Sequence, residues 1–277
     1  MLDANPAPDY VGVRDRLAEA VREAGLLALT TFRGELKSWI KGKSSPVSEA
    51  DLAVDALLRE RLLAIRNAAW LSEETEDDPV RLHRPETWIV DPIDGTRAYL
   101  AGSPDWAIST ALVSESRPVV AALYAPVTDE LFLSVVGQGA TLNNTPIHAS
   151  VGDSIAGARF SGAKQRLDSL AAVEPHIQRS PRVPSLALRL ARVASGALDG
   201  TFAAPNSHDW DLAAADLLLH EAGGALTTLT GELLVYNQPD PVHGTLLAAG
   251  RQAPSPVRNR PSWGSWPPSA RNAWYSI

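Results

Sequence analysis

The chain has 277 residues, of which 45% are hydrophobic and 21% charged, and its formal net charge is −7. This length allows one large domain or two small ones, and the acidic balance argues against binding to a nucleic-acid polymer, which needs a basic surface. Because the chain contains no cysteine, disulfides, thiolate metal sites and cysteine nucleophiles are excluded.

The first residues show no targeting signal. They lack the basic and apolar regions of a signal peptide, and no apolar run in the chain approaches the roughly 18 residues of a membrane span. We therefore expect a cytoplasmic protein with no integral membrane span.

Two helical patterns open the chain. Residues 9–33 have apolar side chains at helical spacing with charges between them, which predicts an amphipathic helix. A second helix is predicted to begin near Ser48, because Ser48 and Asp51 have the spacing of a capping box. The intervening segment 41–46 is typical of a loop.

Short apolar runs that end at acidic residues follow. One precedes Glu73 and the other, residues 88–90, precedes Asp91. The polar segment 75–85 between them is predicted to be a surface loop. Three further apolar runs are separated by turn residues and predict consecutive antiparallel strands. These runs cover residues 106–113, 118–124 and 131–136.

The second half alternates helix-like and strand-like segments. Residues 186–198 and 211–222 are helix-like, and residues 225–229 and 245–249 are strand-like. This mixture favours a layered α+β architecture over a strict βαβ repeat. The last stretch, 251–277, is rich in proline, serine and arginine and contains three tryptophans. It fits either a peripheral tail or a tryptophan-anchored contact with the body or another subunit.

The hexapeptide 91–96, Asp-Pro-Ile-Asp-Gly-Thr, forms an oxygen-rich corner at the end of a predicted buried strand. Pro92 cannot continue a hydrogen-bonded ladder, so we expect the chain to turn there. Two carboxylates and a glycine at such a turn suit a hard cation, although an acidic helix cap is an alternative interpretation. Phosphatases of the haloacid-dehalogenase type separate their two aspartates by one residue, whereas two residues separate Asp91 and Asp94.

Three further acids stand in similar positions. Glu73 follows an apolar pair, and Asp211 and Asp51 each stand at the start of a predicted helix. Each also has an ordinary explanation, as part of a solvated loop or as a helix cap. A calcium-binding module is disfavoured, because its ligands would lie within a loop of about 12 residues.

Taken together and in this order, these elements resemble the motifs of the inositol monophosphatase superfamily. The matching segments are 48–51, 71–74, 88–96, Trp210-Asp211 and 221–224. The resemblance covers roughly residues 10–250. It implies a layered αβαβα sandwich in a single phosphatase unit over residues 1–250, with halves 1–150 and 151–250 and the tail 251–277 outside the match.

The resemblance implies magnesium-assisted hydrolysis of a phosphate monoester by water, without a phospho-enzyme. Two or three Mg²⁺ ions are expected, and Li⁺ is a candidate inhibitor. One ion would be held by Glu73, Asp91 and the carbonyl of Ile93, and the second by Asp91, Asp94 and Asp211. Independently of the family, five converging carboxylates would repel one another and raise their pKa values unless cations were present.

The resemblance also implies roles for neighbouring groups. The Thr96 hydroxyl, with Asp51 or Glu73, would orient the attacking water, and the N–H groups of Gly95 and Thr96 would hold phosphate oxygens. Asp94 and Asp211 would contact the substrate as well. A homodimer is expected on the same basis.

Within the superfamily, two features are most like the CysQ-type 3′(2′),5′-bisphosphate nucleotidases. These are the segment 71–74, Leu-Ser-Glu-Glu, and the segment 97–99, Arg-Ala-Tyr. They predict removal of the 3′-phosphate from 3′-phosphoadenosine 5′-phosphate. Such a substrate needs a second cationic pocket, for which Arg189 is favoured over Lys164 and Arg166.

Two alternatives stay open. One is an inositol-1-monophosphatase or a related sugar-phosphate phosphatase. The other is a catalytically silent protein that binds a phosphorylated metabolite.

Overall fold

The computed structural model describes residues 9–34, 37–41, 45–152 and 154–252. The tryptophans of the tail lie outside these ranges. The helices of the described residues are α1 (Tyr10–Thr31), α2 (Glu49–Ile65), α3 (Thr96–Leu100), α4 (Lys164–Val173), α5 (Leu186–Ala194) and α6 (Asp209–Glu221), with a 3₁₀ helix at Pro79–His83. The strands are β1 (Ser38–Lys41), β2 (Ser45–Ser48), β3 (Ala69–Ser72), β4 (Glu86–Asp94), β5 (Ala107–Ser114), β6 (Arg117–Ala125), β7 (Glu130–Val135), β8 (Ala140–Leu142), β9 (Thr145–Ile147), β10 (Val151–Gly152), β11 (Arg159–Ser161), β12 (Gln178–Arg179), β13 (Gly200–Ala203), β14 (Ser207–His208), β15 (Ala225–Thr228), β16 (Val242–His243), β17 (Leu246–Ala249) and β18 (Arg251–Gln252).

In the described residues, the two largest sheets alternate with three helical layers. The larger sheet has the order β3-β4-β5-β6-β7-β8-β9, and the smaller has the order β12-β11-β13-β17-β15. Helices α1 and α2 pack on one face of the larger sheet, and α5 and α6 lie between the two sheets. Helix α4 covers the outer face of the smaller sheet. The predicted αβαβα sandwich is therefore confirmed.

Both faces of the larger sheet are apolar because both are covered. Along β4, Trp88 and Val90 face α1 and α2, whereas Ile89 faces α5 and α6. This alternation of neighbouring side chains between two cores explains why the strand is continuously apolar in sequence.

The first two helices follow the predicted signals. Helix α2 begins at a capping box, in which the backbone N–H of Ser48 donates to Asp51 Oδ2 over 2.8 Å and Ser48 Oγ accepts from the N–H of Asp51. Helix α1 approaches β6 closely at Gly25. A Cβ atom there would lie 2.5 Å from the ring of Tyr124, so only glycine fits.

The three predicted antiparallel strands are confirmed as β5, β6 and β7. Asn143 and Asn144 join β8 to β9 with positive φ angles of 48° and 65°, as a two-residue hairpin turn with a left-handed backbone requires.

Helix α5 is shorter than predicted and ends at Ala194. Gly196 follows with φ of 71°, which ends the helix in the left-handed conformation.

The segment 75–85 was predicted to be a surface loop, and this prediction is wrong in part. It contains the 3₁₀ helix, and the Arg81 side chain on it is 1% exposed. The Arg81 guanidinium donates to Asp77, Asn237 and the carbonyl of Gln238. A long-range partner some 156 residues away leaves no local signal, so the burial could not be predicted.

Within the described ranges, no helix is both long and apolar enough to cross a membrane.

Strands β3 and β4 are parallel, with Ser72 opposite Val90. Their carboxyl ends therefore lie at the same edge of the larger sheet, which is where Glu73 and Asp91 stand.

Candidate metal centre

The carboxyl end of β4 carries Asp91 and Asp94. The expected turn at Pro92 is a bulge instead, since Asp91 pairs with Ser109 and Asp94 with Ala107, with the register shifted between them. Proline donates no ladder hydrogen bond, and the bulge accommodates this without ending the strand. The backbone N–H of Ile93 donates to Asp91 Oδ1 over 3.0 Å, which fixes the Asp91 side chain.

Two helix starts in the second half hold the other carboxylates in place. Ser185, the N-cap of α5, donates its hydroxyl to Asp94 Oδ2, and the N–H of Ala187 donates to the same oxygen over 2.7 Å. Asp211 lies in the first turn of α6, where the N–H of His208 donates to Asp211 Oδ2 over 2.6 Å. In each aspartate, one carboxylate oxygen accepts these hydrogen bonds, which fixes the direction of the second oxygen.

Asp91, Asp94 and Asp211 converge on one point. One side-chain oxygen from each lies within 4.8 Å of the other two. Asp91 is 1% and Asp94 6% exposed. Three acidic oxygens this close, two of them on buried residues and the third on the half-buried Asp211, form a site that suits a hard divalent cation.

The pKa values show the unfavourable electrostatics of this cluster without a cation. Burial, followed by the charge of Asp94, raises the pKa of Asp211 to about 7. Burial, together with the charges of Asp211 and other nearby acids, raises the pKa of Glu73 to about 8. Burial and Glu73 raise the pKa of Asp91 as well. A bound cation would relieve this repulsion, so the residues present fit magnesium.

Glu73 and Asp51 border the three aspartates. Glu73 follows β3, is half-buried, and its backbone N–H donates to the carbonyl of Val90 over 3.2 Å. Asp51 is 2% exposed, and its Oδ1 lies 3.2 Å from the Thr96 hydroxyl. The same hydroxyl lies 3.1 Å from the carbonyl of Ile93, so its single proton has two alternative acceptors.

Gly95 precedes α3 as its N-cap. It has φ of 93°, and a Cβ atom there would lie 3.2 Å from the side chain of Ser185 and 3.3 Å from the carbonyl of Asp105. Both the backbone conformation and the space favour glycine. Gly95 and Thr96 thus adjoin the acidic cluster through Asp94.

The three candidates for the predicted cationic pocket have protein partners in the structure. Arg189 is 8% exposed and donates to Thr201 and to the carbonyls of Val183 and Phe202. Lys164 is exposed and paired with Asp168, and Arg166 donates to Thr245. Because Arg189 donates to Thr201 and Phe202 of β13, it holds α5 against that strand, and its predicted phosphate contact stays a prediction.

Sequence reasoning missed Ser185. Its position before the apolar run 186–191 is a helix-cap signal, and it does cap α5 through the N–H of Leu188. Its second partner, Asp94, lies 91 residues away, and no local pattern indicates such a contact. The ring of His208 stacks on that of Trp210 with 4.4 Å between centroids.

The chain is similar to known proteins over most of its length. A model described as "Inositol monophosphatase family" matches residues 12–259. The chain is similar to an inositol-1-monophosphatase of Rhizobium meliloti (strain 1021), with 34% identity over 230 residues, covering 78% of this chain and 85% of that protein. It is also similar to the Nus factor SuhB of Escherichia coli (strain K12), with 29% identity over 223 residues, covering 76% and 83%. Among solved structures, the extragenic suppressor protein suhB of Bartonella henselae matches with a TM-score of 0.77 and 29% identity, covering 86% of this chain and 93% of that one.

Proposed function

The chain belongs to the inositol monophosphatase family of magnesium-dependent phosphatases, and from this premise we propose that its substrate is inositol 1-phosphate or a similar phosphorylated polyol. The relative with 34% identity is named an inositol-1-monophosphatase. The convergence of Asp91, Asp94 and Asp211 within 4.8 Å is the observation that carries the proposed chemistry.

We propose the following ligand sets for magnesium. Glu73, Asp91 and the Ile93 carbonyl hold one ion, and Asp91, Asp94 and Asp211 hold a second, so that Asp91 is shared. Bound there, Mg²⁺ would supply Lewis-acid activation of water and neutralise charge on the phosphate.

The chain's own groups position the reactants. The Thr96 hydroxyl lies between Asp51 and the Ile93 carbonyl. It can donate its own proton in a hydrogen bond to one of these oxygens and accept a hydrogen bond from an attacking water, which orients that water. The backbone N–H groups of Gly95 and Thr96 hold phosphate oxygens in this proposal.

A bisphosphate nucleotide is the second candidate, and it rests on the segments 71–74 and 97–99. Both segments have structural roles. Tyr99 is 2% exposed and donates its hydroxyl to the carbonyl of Ala28, and Ser72 is bonded to Asp55. Because Arg189 donates to protein acceptors and Lys164 is paired with Asp168, we rank the polyol phosphate first.

A substrate panel tests the ranking. Phosphate release is measured from inositol 1-phosphate, 3′-phosphoadenosine 5′-phosphate and fructose 1,6-bisphosphate, each with Mg²⁺ and with EDTA. We expect magnesium-dependent release with the highest kcat/KM for inositol 1-phosphate. A higher kcat/KM for the nucleotide would reverse the ranking. Magnesium-independent release, or none from any substrate, would contradict the proposed chemistry.

A further inference from the structure

A buried carboxyl group outside the acidic cluster holds the segment that carries Glu73. Asp55 lies on α2, one turn after Asp51, and is 8% exposed. The Ser72 hydroxyl donates to Asp55 Oδ1, and the Thr75 hydroxyl donates to Asp55 Oδ2 over 2.8 Å. The two carboxylate oxygens of Asp55 therefore accept hydrogen bonds from residues on both sides of Glu73.

The segment between these two contacts is bonded at every residue. The Ser72 hydroxyl accepts from the N–H of Glu74 over 3.2 Å, and the N–H of Glu73 donates to the carbonyl of Val90 over 3.2 Å. The indole N–H of Trp70 donates to the Thr75 hydroxyl over 3.3 Å. Each hydroxyl thus both donates to Asp55 and accepts from the chain, so the backbone around Glu73 is held from α2, from β4 and from β3.

Glu73 needs such a restraint. It is half-buried at the edge of the cluster, and the negative charges of Asp211, Asp94 and Asp51 all act on it. It stands on the loop after β3, which is an edge strand of the larger sheet, and such a loop moves readily unless it is held.

We propose that Asp55 is a positioning residue, which through Ser72 and Thr75 holds Glu73 at the distance from Asp91 that magnesium binding requires. This inference rests on the proposed role of Glu73 as a metal ligand. Asp55 itself touches neither the metal nor the substrate. Groups that orient metal ligands in this way contribute roughly 10- to 100-fold to metal affinity.

The test is calorimetric titration of Mg²⁺ into EDTA-stripped protein, together with the magnesium dependence of phosphate release. Asp55→Ala removes both contacts and a charge. Thr75→Val removes one of the two contacts with Asp55, and with it the hydrogen bond from Trp70. It keeps the side-chain shape and leaves the Asp55 charge in place, so it separates positioning from charge. Glu86→Gln is the matched control, because Glu86 is also 8% exposed but binds Arg66 and Tyr10 at the opposite end of β4.

We expect magnesium binding about 10-fold weaker in Asp55→Ala and several-fold weaker in Thr75→Val, in line with orienting groups elsewhere. The kcat at saturating magnesium should stay within about 2-fold of wild type, and Glu86→Gln should bind magnesium like the wild type. Unchanged affinity in Thr75→Val would overturn the inference, even if Asp55→Ala bound weakly or did not fold. Absence of magnesium binding by the wild type would instead overturn the proposed metal site on which the inference depends.

Discussion

At the scale of single residues, the site consists of acids placed where burial alone disfavours them. Asp91 is 1% exposed and its pKa is raised by burial and by Glu73. A buried carboxylate with no cationic partner does not suit a purely structural position, whereas a cation-binding site needs such a group. This is why the acids mark function more clearly than the apolar residues around them.

Replacing Asp91 tests this directly. Asp91→Asn keeps the shape and the acceptor for the Ile93 N–H but removes the shared charge, so magnesium-dependent phosphate release should fall below detection. In EDTA, its free energy of unfolding should be equal to or higher than that of the wild type, because one repulsive charge has gone. Activity assays and urea unfolding in EDTA check both parts. An active variant, or one that is much less stable without metal, would contradict the assignment.

Several site residues could be predicted from the sequence because their signals are local. Asp91 and Glu73 each end an apolar run, and Asp51 stands at capping-box spacing from Ser48. The contacts that orient them could not be predicted, because Ser185 meets Asp94 across 91 residues and Asp55 meets Ser72 across 17. The same limit applies to the protein partners of Arg189, which lie on β13 and on the loop before α5.

At the scale of elements, the ends of strands and helices place the chemistry. The parallel pair β3 and β4 brings Glu73 and Asp91 to one edge, and the first turns of α2 and α6 present Asp51 and Asp211. The pattern of apolar residues predicts these elements to within a few residues. It did not predict α4, where only Leu167 and Leu170 are buried, because two apolar contacts are too few to set a helical period.

Helix α6 contains a second titrating acid, which gives a prediction for stability. Asp216 is 4% exposed and accepts from the Tyr236 hydroxyl over 2.9 Å. Burial raises the pKa of Asp216 from 3.8 to about 7. The folded state therefore keeps a proton that the unfolded chain releases, so this stabilising contribution is full below about pH 4 and is lost as the pH rises toward about 7.

Asp216→Asn removes this titration and keeps an acceptor for Tyr236. Relative to the wild type, the variant should gain stability between pH 5 and pH 8, by about 1 kcal/mol or more. Urea unfolding in EDTA at each pH measures the difference. Asp168→Asn is the control: hydrogen bonds from Lys164 and Arg179 lower the pKa of Asp168, so its difference from the wild type should stay flat over this range. A flat difference for Asp216→Asn would show that Asp216 is ionised throughout.

At the scale of the whole molecule, the acidic cluster lies where the larger sheet meets the helices packed on it. Asp91 and Asp94 belong to the larger sheet, which spans residues 69–147, whereas Ser185 and Asp211 come from the helices packed between it and the smaller sheet, whose strands begin at residue 159. The resemblance predicted this architecture, but no sequence period shows that the parts meet at one point. A cation at this point would bind the folded chain and not the unfolded one, because only folding brings these acids together.

Magnesium should therefore stabilise the fold in proportion to its occupancy. At a magnesium concentration about 100 times the Kd, a single site adds about 2.7 kcal/mol to the free energy of unfolding, which corresponds to a rise in Tm of roughly 5–10 °C for a chain of this size. Thermal melts with increasing MgCl₂, at ionic strength held constant with NaCl, measure this rise. Asp91→Asn should show little of it, and Glu86→Gln should show all of it. An equal rise in Asp91→Asn would mean that magnesium acts on the acidic surface of a chain with net charge −7, and the cluster of Asp91, Asp94 and Asp211 would then not be where the stabilising ion binds.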